Sequence, residues 1–164
     1  MNDRPEVELA NRNGRLHPAQ RGALLDLNFW VAATLVIAGL VVTVTLATAA
    51  ETAGEVLGTV VPLLAITGWF AFVCWRRLAD AFGGRLTAVT GWTHDFDSAR
   101  LTDEYPIGLH RSPEGFKSLE SFSLRAGGRT YPLERKLRER IRPERVNTIL
   151  IAPRSKVLIN VLPA

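Results

Sequence analysis

Cysteine is almost absent from this sequence, and two long parts of it contain no charge. The 164 residues include one cysteine, Cys74, which excludes an internal disulfide bond. The runs from Leu27 to Ala50 and from Val56 to Trp75 contain no Asp, Glu, Lys or Arg. Proton relays, ion paths and voltage sensors need ionisable groups at membrane depth. We therefore do not expect this chain to carry out transport alone, although a pore formed with partners stays open.

The sequence also lacks the patterns that mark common catalytic sites. Neither Gly83-Gly84 nor Gly127-Gly128 belongs to a phosphate-binding loop. The serines at 112, 121 and 123 lack the flanking glycines of a nucleophile elbow. We therefore expect a protein that is not an enzyme and that has no catalytic or cofactor-binding residues.

A polar stretch, residues 94–116, collects several metal-ligating residue types. An EF-hand that starts at Asp95 would need Gly at its sixth position and Glu at its twelfth. The chain has Arg100 and Pro106 at those positions. We interpret the stretch as a solvated loop without a metal site. Its length of more than 20 residues leaves a binding role as the alternative.

Both uncharged runs are long enough to span a membrane. About 20 helical residues cross a hydrocarbon core of about 30 Å. Only Glu51 to Glu55 separates the runs, so they form an antiparallel helical hairpin. A fully buried hairpin of a soluble protein and a cleaved signal sequence are the alternatives. We expect three segments: an N-terminal tail or helix over 1–26, a transmembrane hairpin over 27–82 with spans 27–50 and 56–75, and a C-terminal module over 83–164.

Arginines flank the hairpin on one side only. They lie before the first run and after the second, and the connection has no Lys or Arg: Arg4, Arg12, Arg15, Arg21, Arg76, Arg77 and Arg85. This asymmetry predicts that both termini are cytoplasmic. Trp30 and Trp75 lie near the cytoplasmic ends of the spans, where indole rings favour the interface.

Small residues recur along both spans, and one proline interrupts the second span. Such spacing lets helices approach closely, either within the hairpin or against other membrane helices. The small residues are Thr34, Ala38, Gly39, Thr43, Ala47, Gly54, Gly58, Thr67 and Ala71. Pro62 predicts a kink in the second span.

Before the hairpin, the composition of residues 1–16 predicts a short amphipathic helix or a mobile tail. Pro18 predicts the start of a helix that runs into the first span.

The C-terminal module alternates between apolar and polar residues in a way that predicts five strands. We expect strands at 84–92, 118–126, 129–133, 146–153 and 156–163, with a helix at 134–141. This order is typical of a small all-β barrel of the OB or SH3-like type with one short helix. The Gly83-Gly84 break predicts that the module folds independently.

Residues 129–145 are strongly basic, with seven Arg or Lys against three Glu. Leu133, Leu137 and Ile141 recur every four residues and predict one buried helix stripe. The basic side chains then cover the rest of that helix: Arg135, Lys136, Arg138, Arg140 and Arg142. Three interpretations stay open: a solvated face, a contact with anionic lipid or an acidic protein, and nucleic-acid binding. With Arg76 and Arg77, these residues form our predicted lipid or partner contact.

Several motifs resemble those of a known group of proteins. The segments NRNGRLHPAQR, LRAGGRTYPL and ILIAPRSKVLINVLP, together with the two spans, are similar to a group of small bacterial two-span membrane proteins with a cytoplasmic C-terminal β domain. Leu150 and Ile151 stand where that group often has two tyrosines. A weaker resemblance links the chain to NfeD-type proteins, which attach an OB barrel to membrane helices, although their glycine-rich first strand is missing here. The resemblance implies architecture and membrane location only.

These observations lead to one expected function and one alternative. We expect an inner-membrane protein that presents its β module to the cytoplasm as a scaffold, accessory or regulatory subunit. Its partners would be the lipid bilayer and a membrane protein or a second copy of the chain. The alternative is a membrane-tethered module that binds anionic lipid head groups or nucleic acid; we do not favour nucleic acid, because few aromatic residues are available for stacking.

Overall fold

The computed structural model describes residues 4–96, 106–113 and 120–163. It divides the chain into two compact units. The hairpin unit is Arg21–Gly83, and the β unit joins the N-terminal segment up to Gln20 to the chain from Gly84 onwards. The N-terminal segment that we expected to form a tail or helix over 1–26 lies mostly in the β unit by this division.

The helices and strands have these bounds. The helices are α1 (Pro5–Arg12), α2 (Arg21–Leu24), α3 (Leu27–Ala49), α4 (Ala53–Glu55), α5 (Val61–Gly83) and α6 (Arg135–Arg138), with a 3₁₀ turn at Pro18–Gln20. The strands are β1 (Thr87–Phe96), β2 (Ile107–Pro113), β3 (Glu120–Ala126), β4 (Arg129–Pro132), β5 (Arg145–Ile151) and β6 (Leu158–Pro163).

In the hairpin unit, Asp26 lies in the break between α2 and α3. The Asp26 carboxylate accepts a hydrogen bond from the Phe29 amide at 2.9 Å, which caps α3. At the other end of the hairpin, Thr52 caps α4 by accepting from the Glu55 amide at 3.3 Å. These two caps set where the chain enters α3 and where it turns back.

The helices α3 and α5 pack together around Gly39. A Cβ atom at this position would overlap with Oγ1 of Thr67 and lie 3.2 Å from its Cβ. Thr43 and Thr67 are both buried, at 6% and 4% exposure. Close approach within the hairpin therefore explains three of the small residues. Several others are exposed: Thr34, Ala38, Ala47, Gly54 and Gly58.

A π-helical segment, Val56–Val60, precedes Pro62 where the sequence predicts a kink. Proline has no amide hydrogen, so it cannot donate to the carbonyl four residues earlier. The Val61 amide instead donates to the Val56 carbonyl, five residues back. The irregularity is therefore a π turn beside the proline.

Both long helices expose most of their apolar side chains. The most apolar windows of Leu27–Ala49 and Ala53–Gly83 are only 17% and 11% buried. Ile37, Val44 and Leu57 are 65%, 63% and 66% exposed. The helices of a soluble core would be mostly buried, so this surface argues against the soluble-hairpin alternative. By length and composition, both helices can span a membrane.

The β unit contains a sheet of six strands in the order β4-β3-β2-β1-β5-β6. Strands β1 and β2 are parallel, and the other neighbouring pairs are antiparallel. We predicted five strands; the additional one, β2, lies in the stretch 94–116 that we interpreted as a loop. The helix predicted at 134–141 is reduced to one turn, α6.

The sheet is a curled half-barrel rather than a closed barrel. Strands β4 and β6 are its edges, and no pairing joins them among the residues that the structure describes. The small β module that we predicted is therefore present, whereas the closure typical of an OB or SH3-like barrel is not observed. Edge β4 is short and ends in Pro132, which limits pairing with another strand.

One face of the sheet, the core face, packs on the segment that follows β4. Leu133, Leu137 and Ile141 are 8%, 7% and 6% exposed, so their predicted burial is confirmed, although only Leu137 lies within helix α6. The remaining buried members come from five strands: Ile107, Leu109, Leu124, Ala126, Tyr131, Ile149, Ile151 and Val161. Burial also raises the pKa of the Tyr131 hydroxyl, an effect that nearby Arg129 partly opposes.

The N-terminal segment pairs with the start of the β unit. The Leu16 amide donates to the Gly84 carbonyl, and the Leu86 amide donates to the Gly14 carbonyl, both at 2.8 Å. Gly14 has a φ of 67°, a left-handed conformation that a residue with a Cβ adopts at a cost. Val7 and Leu16 are buried. The described part of the segment, residues 4–20, is therefore an ordered part of the β unit.

Candidate functional site

Two of the predicted contact residues hold the segment between β4 and β5 against the sheet. The Arg138 guanidinium lies 3.5 Å from the centre of the Phe122 ring, a cation–π contact. The Arg140 Nε donates to the Val161 carbonyl of edge strand β6 at 3.1 Å. Both side chains are half-buried. These two charged groups therefore contribute to packing within the β unit at least as much as they could contribute to binding a partner.

Three other basic residues of this segment point to solvent. Arg135, Lys136 and Arg142 are exposed. Arg135 lies 3.6 Å from Glu139, but these side chains are 92% and 68% exposed, so the ion pair contributes little. Of the five basic residues that the sequence predicts to cover the exposed side of this helix, only three are therefore exposed.

Asn147 orders the turn that follows these arginines. Its Nδ2 donates to the Thr93 hydroxyl and to the Arg142 carbonyl, both at 2.8 Å. Its Oδ1 accepts from the Arg142 amide at 3.2 Å. Asn147 is fully buried, so each of these hydrogen bonds replaces one that its side-chain amide would make to water in the unfolded chain. Nothing in the sequence around Asn147 marked it for this role.

Glu144 joins the same turn to the end of β1. It has a φ of 54°, and its carboxylate accepts from the Asp95 amide at 3.1 Å and from the Trp92 indole at 3.2 Å. The Asp95 hydrogen bond, followed by that from Trp92, lowers the pKa of the Glu144 carboxyl group. Sequence reasoning missed this contact because its members lie about 50 residues apart in the chain.

The two predicted arginines of the hairpin unit have different surroundings. The Arg77 guanidinium pairs with the Asp26 carboxylate and donates to the Leu24 carbonyl at 3.1 Å, and its side chain is 16% exposed. The Arg76 guanidinium lies 5.7 Å from the Phe72 ring centre. Arg77 thus holds the start of α3 to α5, whereas Arg76 has no acidic partner in the described chain. The seven predicted residues therefore divide between the two units, with Arg76 and Arg77 in the hairpin unit and the other five in the β unit.

A groove of about 370 Å³ lies on the other face of the sheet, the outer face. The end of α1 forms one side of it, and β1, β5 and β6 form the floor. Its lining comprises Asn11, Arg12, Gly14, Ala88, Thr90, Thr148, Leu150 and Leu162. The Thr90 and Thr148 hydroxyls are 2.9 Å apart, so they share a hydrogen bond across the floor.

Exposed apolar residues continue this face beyond the groove. Trp92 and Val146 are paired neighbours on β1 and β5, with 46% and 38% exposure. The Trp92–Val146 pair lies two residues along the strands from the Thr90–Thr148 pair, so both pairs are on the same face of the sheet. The sequence could have indicated this face, because Ala88, Thr90 and Trp92 alternate along β1 with the more buried Val89 and Thr93.

The predicted polar loop is only partly within the described residues. His94, Asp95 and His110 are described, whereas Asp97, Asp103 and Glu104 lie outside. Asp95 pairs with Arg111 at 3.6 Å. Across the described ranges, no three His, Cys, Asp or Glu residues lie close enough together to hold a metal ion.

Comparison of the chain with protein-family models, with curated proteins and with solved structures finds no match. The resemblance to small bacterial two-span proteins and to NfeD-type proteins therefore stays a prediction. The groove, the exposed basic residues and Arg76 are the surfaces from which a function can be argued.

Proposed function

We propose that this chain is a non-catalytic protein of the bacterial inner membrane that presents its β unit to the cytoplasm as a scaffold, accessory or regulatory subunit of a membrane complex. The exposed apolar surface of α3 and α5 carries the membrane part of this proposal. The free energy of exposed apolar side chains such as Ile37, Val44 and Leu57 is lower in hydrocarbon than in water.

The connectivity of the β unit supports the proposed topology. Residues 4–20 precede the hairpin and the chain from Gly84 follows it, yet they pair through Leu16 and Gly84. A chain that crosses a membrane twice returns to the side where it started, so this pairing fits two spans. The excess of flanking arginines then favours the cytoplasmic side.

Labelling of single cysteines tests this topology. In a Cys74→Ser background, Thr52→Cys lies in the turn between the helices and Thr130→Cys lies on β4, and both positions are exposed. An impermeant thiol reagent should label position 52 in intact cells and position 130 only after permeabilisation. Labelling of 130 but not 52 in intact cells would contradict the orientation, and labelling of both would contradict the membrane hairpin.

The outer face is where we propose that a protein partner binds. It combines a groove of about 370 Å³ with the exposed Trp92 and Val146. Interfaces favour apolar and aromatic centres with polar groups around them, and the threonine pair of the groove supplies such groups.

Purification in mild detergent tests the partner. Thr148→Arg would fill the groove, and Ser123→Arg is the matched control, because β3 lies on the same sheet with β2 and β1 between it and β5. We expect a stoichiometric protein partner, or a second copy, that Thr148→Arg loses and Ser123→Arg retains. A free monomer in every preparation would contradict the scaffold role.

The tethered ligand-binding module stays the second candidate, because Arg135, Lys136 and Arg142 are exposed. From residue 83 onwards the chain has 14 basic and 9 acidic residues, a net charge of +5. Co-purification of anionic lipid or nucleic acid that Arg135→Gln, Lys136→Gln and Arg142→Gln together abolish would favour this candidate. We favour the scaffold because Arg138 and Arg140 are already engaged within the unit.

A further inference from the structure

Arg76 differs from its neighbour Arg77 because no acidic residue in the part of the chain that the structure describes pairs with it. Arg77 pairs with Asp26 and is 16% exposed, so its charge is satisfied within the hairpin unit. The Arg76 guanidinium contacts the Phe72 ring, and no acidic side chain pairs with it within the described ranges. A cation–π contact leaves the five N–H donors of an arginine able to bind an anion.

Three exposed aromatic residues lead along α5 to Arg76. Trp69, Phe72 and Trp75 follow one another every three residues and are 65%, 46% and 55% exposed. Their ring centres are 6.4 Å apart from Trp69 to Phe72 and 5.9 Å apart from Phe72 to Trp75, where the rings stack. We call these three residues and Arg76 the aromatic strip.

The length of the strip matches part of a phospholipid. Arg76 lies seven positions after Trp69, which is about 10 Å along a helix at about 1.5 Å per residue. Arg76 is the first charged residue after the apolar run, and Trp69 lies within that run. A ligand that matches the whole strip needs an anionic group at one end and an apolar chain of at least this length.

The geometry points to a binding site for one anionic phospholipid, with its phosphate on Arg76 and its acyl chain along Trp69, Phe72 and Trp75. The inference rests on the proposed membrane location. Charge complementarity selects the ligand: a guanidinium binds phosphate oxygens in pairs, and a zwitterionic lipid carries a cation that competes for its own phosphate. The stacked rings offer a rigid apolar surface that loses little side-chain entropy on binding.

Quenching of tryptophan fluorescence by brominated lipids tests this site in the full-length chain. Trp30→Phe and Trp92→Phe leave Trp69 and Trp75 as the only tryptophans. This variant is reconstituted into phosphatidylcholine vesicles that contain either brominated phosphatidylglycerol or brominated phosphatidylcholine at equal mole fraction. We expect phosphatidylglycerol to quench at about fivefold lower mole fraction, the order of effect that one basic residue gives near an anionic surface.

Two arginine variants separate the site from a general effect of charge. Arg76→Gln should remove the preference for phosphatidylglycerol while leaving quenching by brominated phosphatidylcholine unchanged. Arg21→Gln is the matched control, because the Arg21 guanidinium also faces an aromatic ring, that of Phe82, at 5.8 Å in the same unit. This control should keep the preference.

The outcomes distinguish the site from the membrane location. Equal quenching by both lipids would contradict the phospholipid site and leave the membrane location intact. Loss of the preference in Arg21→Gln to the same extent as in Arg76→Gln would also contradict a site centred on Arg76. Absence of quenching by either lipid would instead contradict the membrane location on which the inference rests.

Discussion

Asn11 and Gln20 exchange two hydrogen bonds between their side-chain amides. The Asn11 Nδ2 donates to Gln20 Oε1 at 2.8 Å, and the Gln20 Nε2 donates to Asn11 Oδ1 at 3.3 Å. Both residues are buried, at 1% and 2% exposure. Asn11 also donates to the Val7 carbonyl, so the pair ties α1 to the 3₁₀ turn that ends the N-terminal segment. This pair makes the segment a compact element that can pack as part of the β unit.

Asn11→Ala should destabilise the β unit by about 2 kcal/mol, because it removes the two hydrogen bonds that the buried Gln20 amide exchanges with Asn11. The measurement is thermal unfolding of the full chain in mild detergent, followed by near-ultraviolet circular dichroism. The control is Arg12→Ala, which removes an exposed ion pair with Glu8 and should cost less than about 1 kcal/mol. Equal effects of the two substitutions would contradict a structural role for the amide pair.

A fragment that starts at Gly84 should be less stable than one that also carries the N-terminal segment. Residues 1–20 joined by a short Gly-Ser linker to residues 84–164 keep the Leu16–Gly84 and Leu86–Gly14 hydrogen bonds. We expect the joined chain to unfold cooperatively and the shorter one to aggregate or to melt at least about 5 °C lower. Identical melting temperatures of the two fragments would support the prediction, made from the Gly83-Gly84 break, that the module folds independently.

Gly39→Ala should destabilise the hairpin by about 1 to 3 kcal/mol, because the new Cβ overlaps with Thr67. Gly68→Ala is the control, since no atom of the described residues lies within 4 Å of a Cβ there. The measurement is thermal aggregation of the full chain in detergent. Adding Thr67→Gly to Gly39→Ala should recover part of the loss, and failure of Gly39→Ala to differ from the control would show that the helices do not approach closely here.

The contact between Glu144 and Trp92 should weaken on acidification. The hydrogen bonds from Asp95 and Trp92 lower the folded pKa of Glu144, so its stabilising effect is present above the unfolded pKa and is lost as the pH falls through the folded pKa. The Trp92 indole N–H resonance of the full chain in detergent micelles should therefore shift with a midpoint below the ordinary range for glutamate, which is about pH 4.3.

Two variants check that assignment. Glu144→Gln removes the ionisable group and should abolish the titration of the Trp92 resonance. Glu139→Gln removes an exposed carboxylate that pairs with Arg135, and it should leave the titration unchanged. A midpoint at or above the ordinary glutamate value would contradict the lowered pKa.

The sequence alone determined the features that depend on local composition and periodicity. Two runs without charge predicted two long apolar helices, because only a helix satisfies its own backbone over such lengths of apolar chain. The spacing of Leu133, Leu137 and Ile141 predicted their burial. Alternation predicted four of the strands closely, since successive strand residues face opposite sides of a sheet.

Tertiary structure decided the features that join distant parts of the chain. Strand β2 is a strand because Ile107 and Leu109 pack on the core face, although polar residues surround them in the sequence. Arg77, Arg138 and Arg140 make contacts within their own units, so fewer basic side chains are free to bind a partner than the local composition predicts. Their contacts are with Asp26, the Phe122 ring and the Val161 carbonyl, respectively. The N-terminal segment joins the β unit through Leu16 and Gly84. Each of these contacts links residues that are far apart in the chain, and periodicity along one segment carries no information about which distant segment will complete its hydrogen bonds or cover its apolar face.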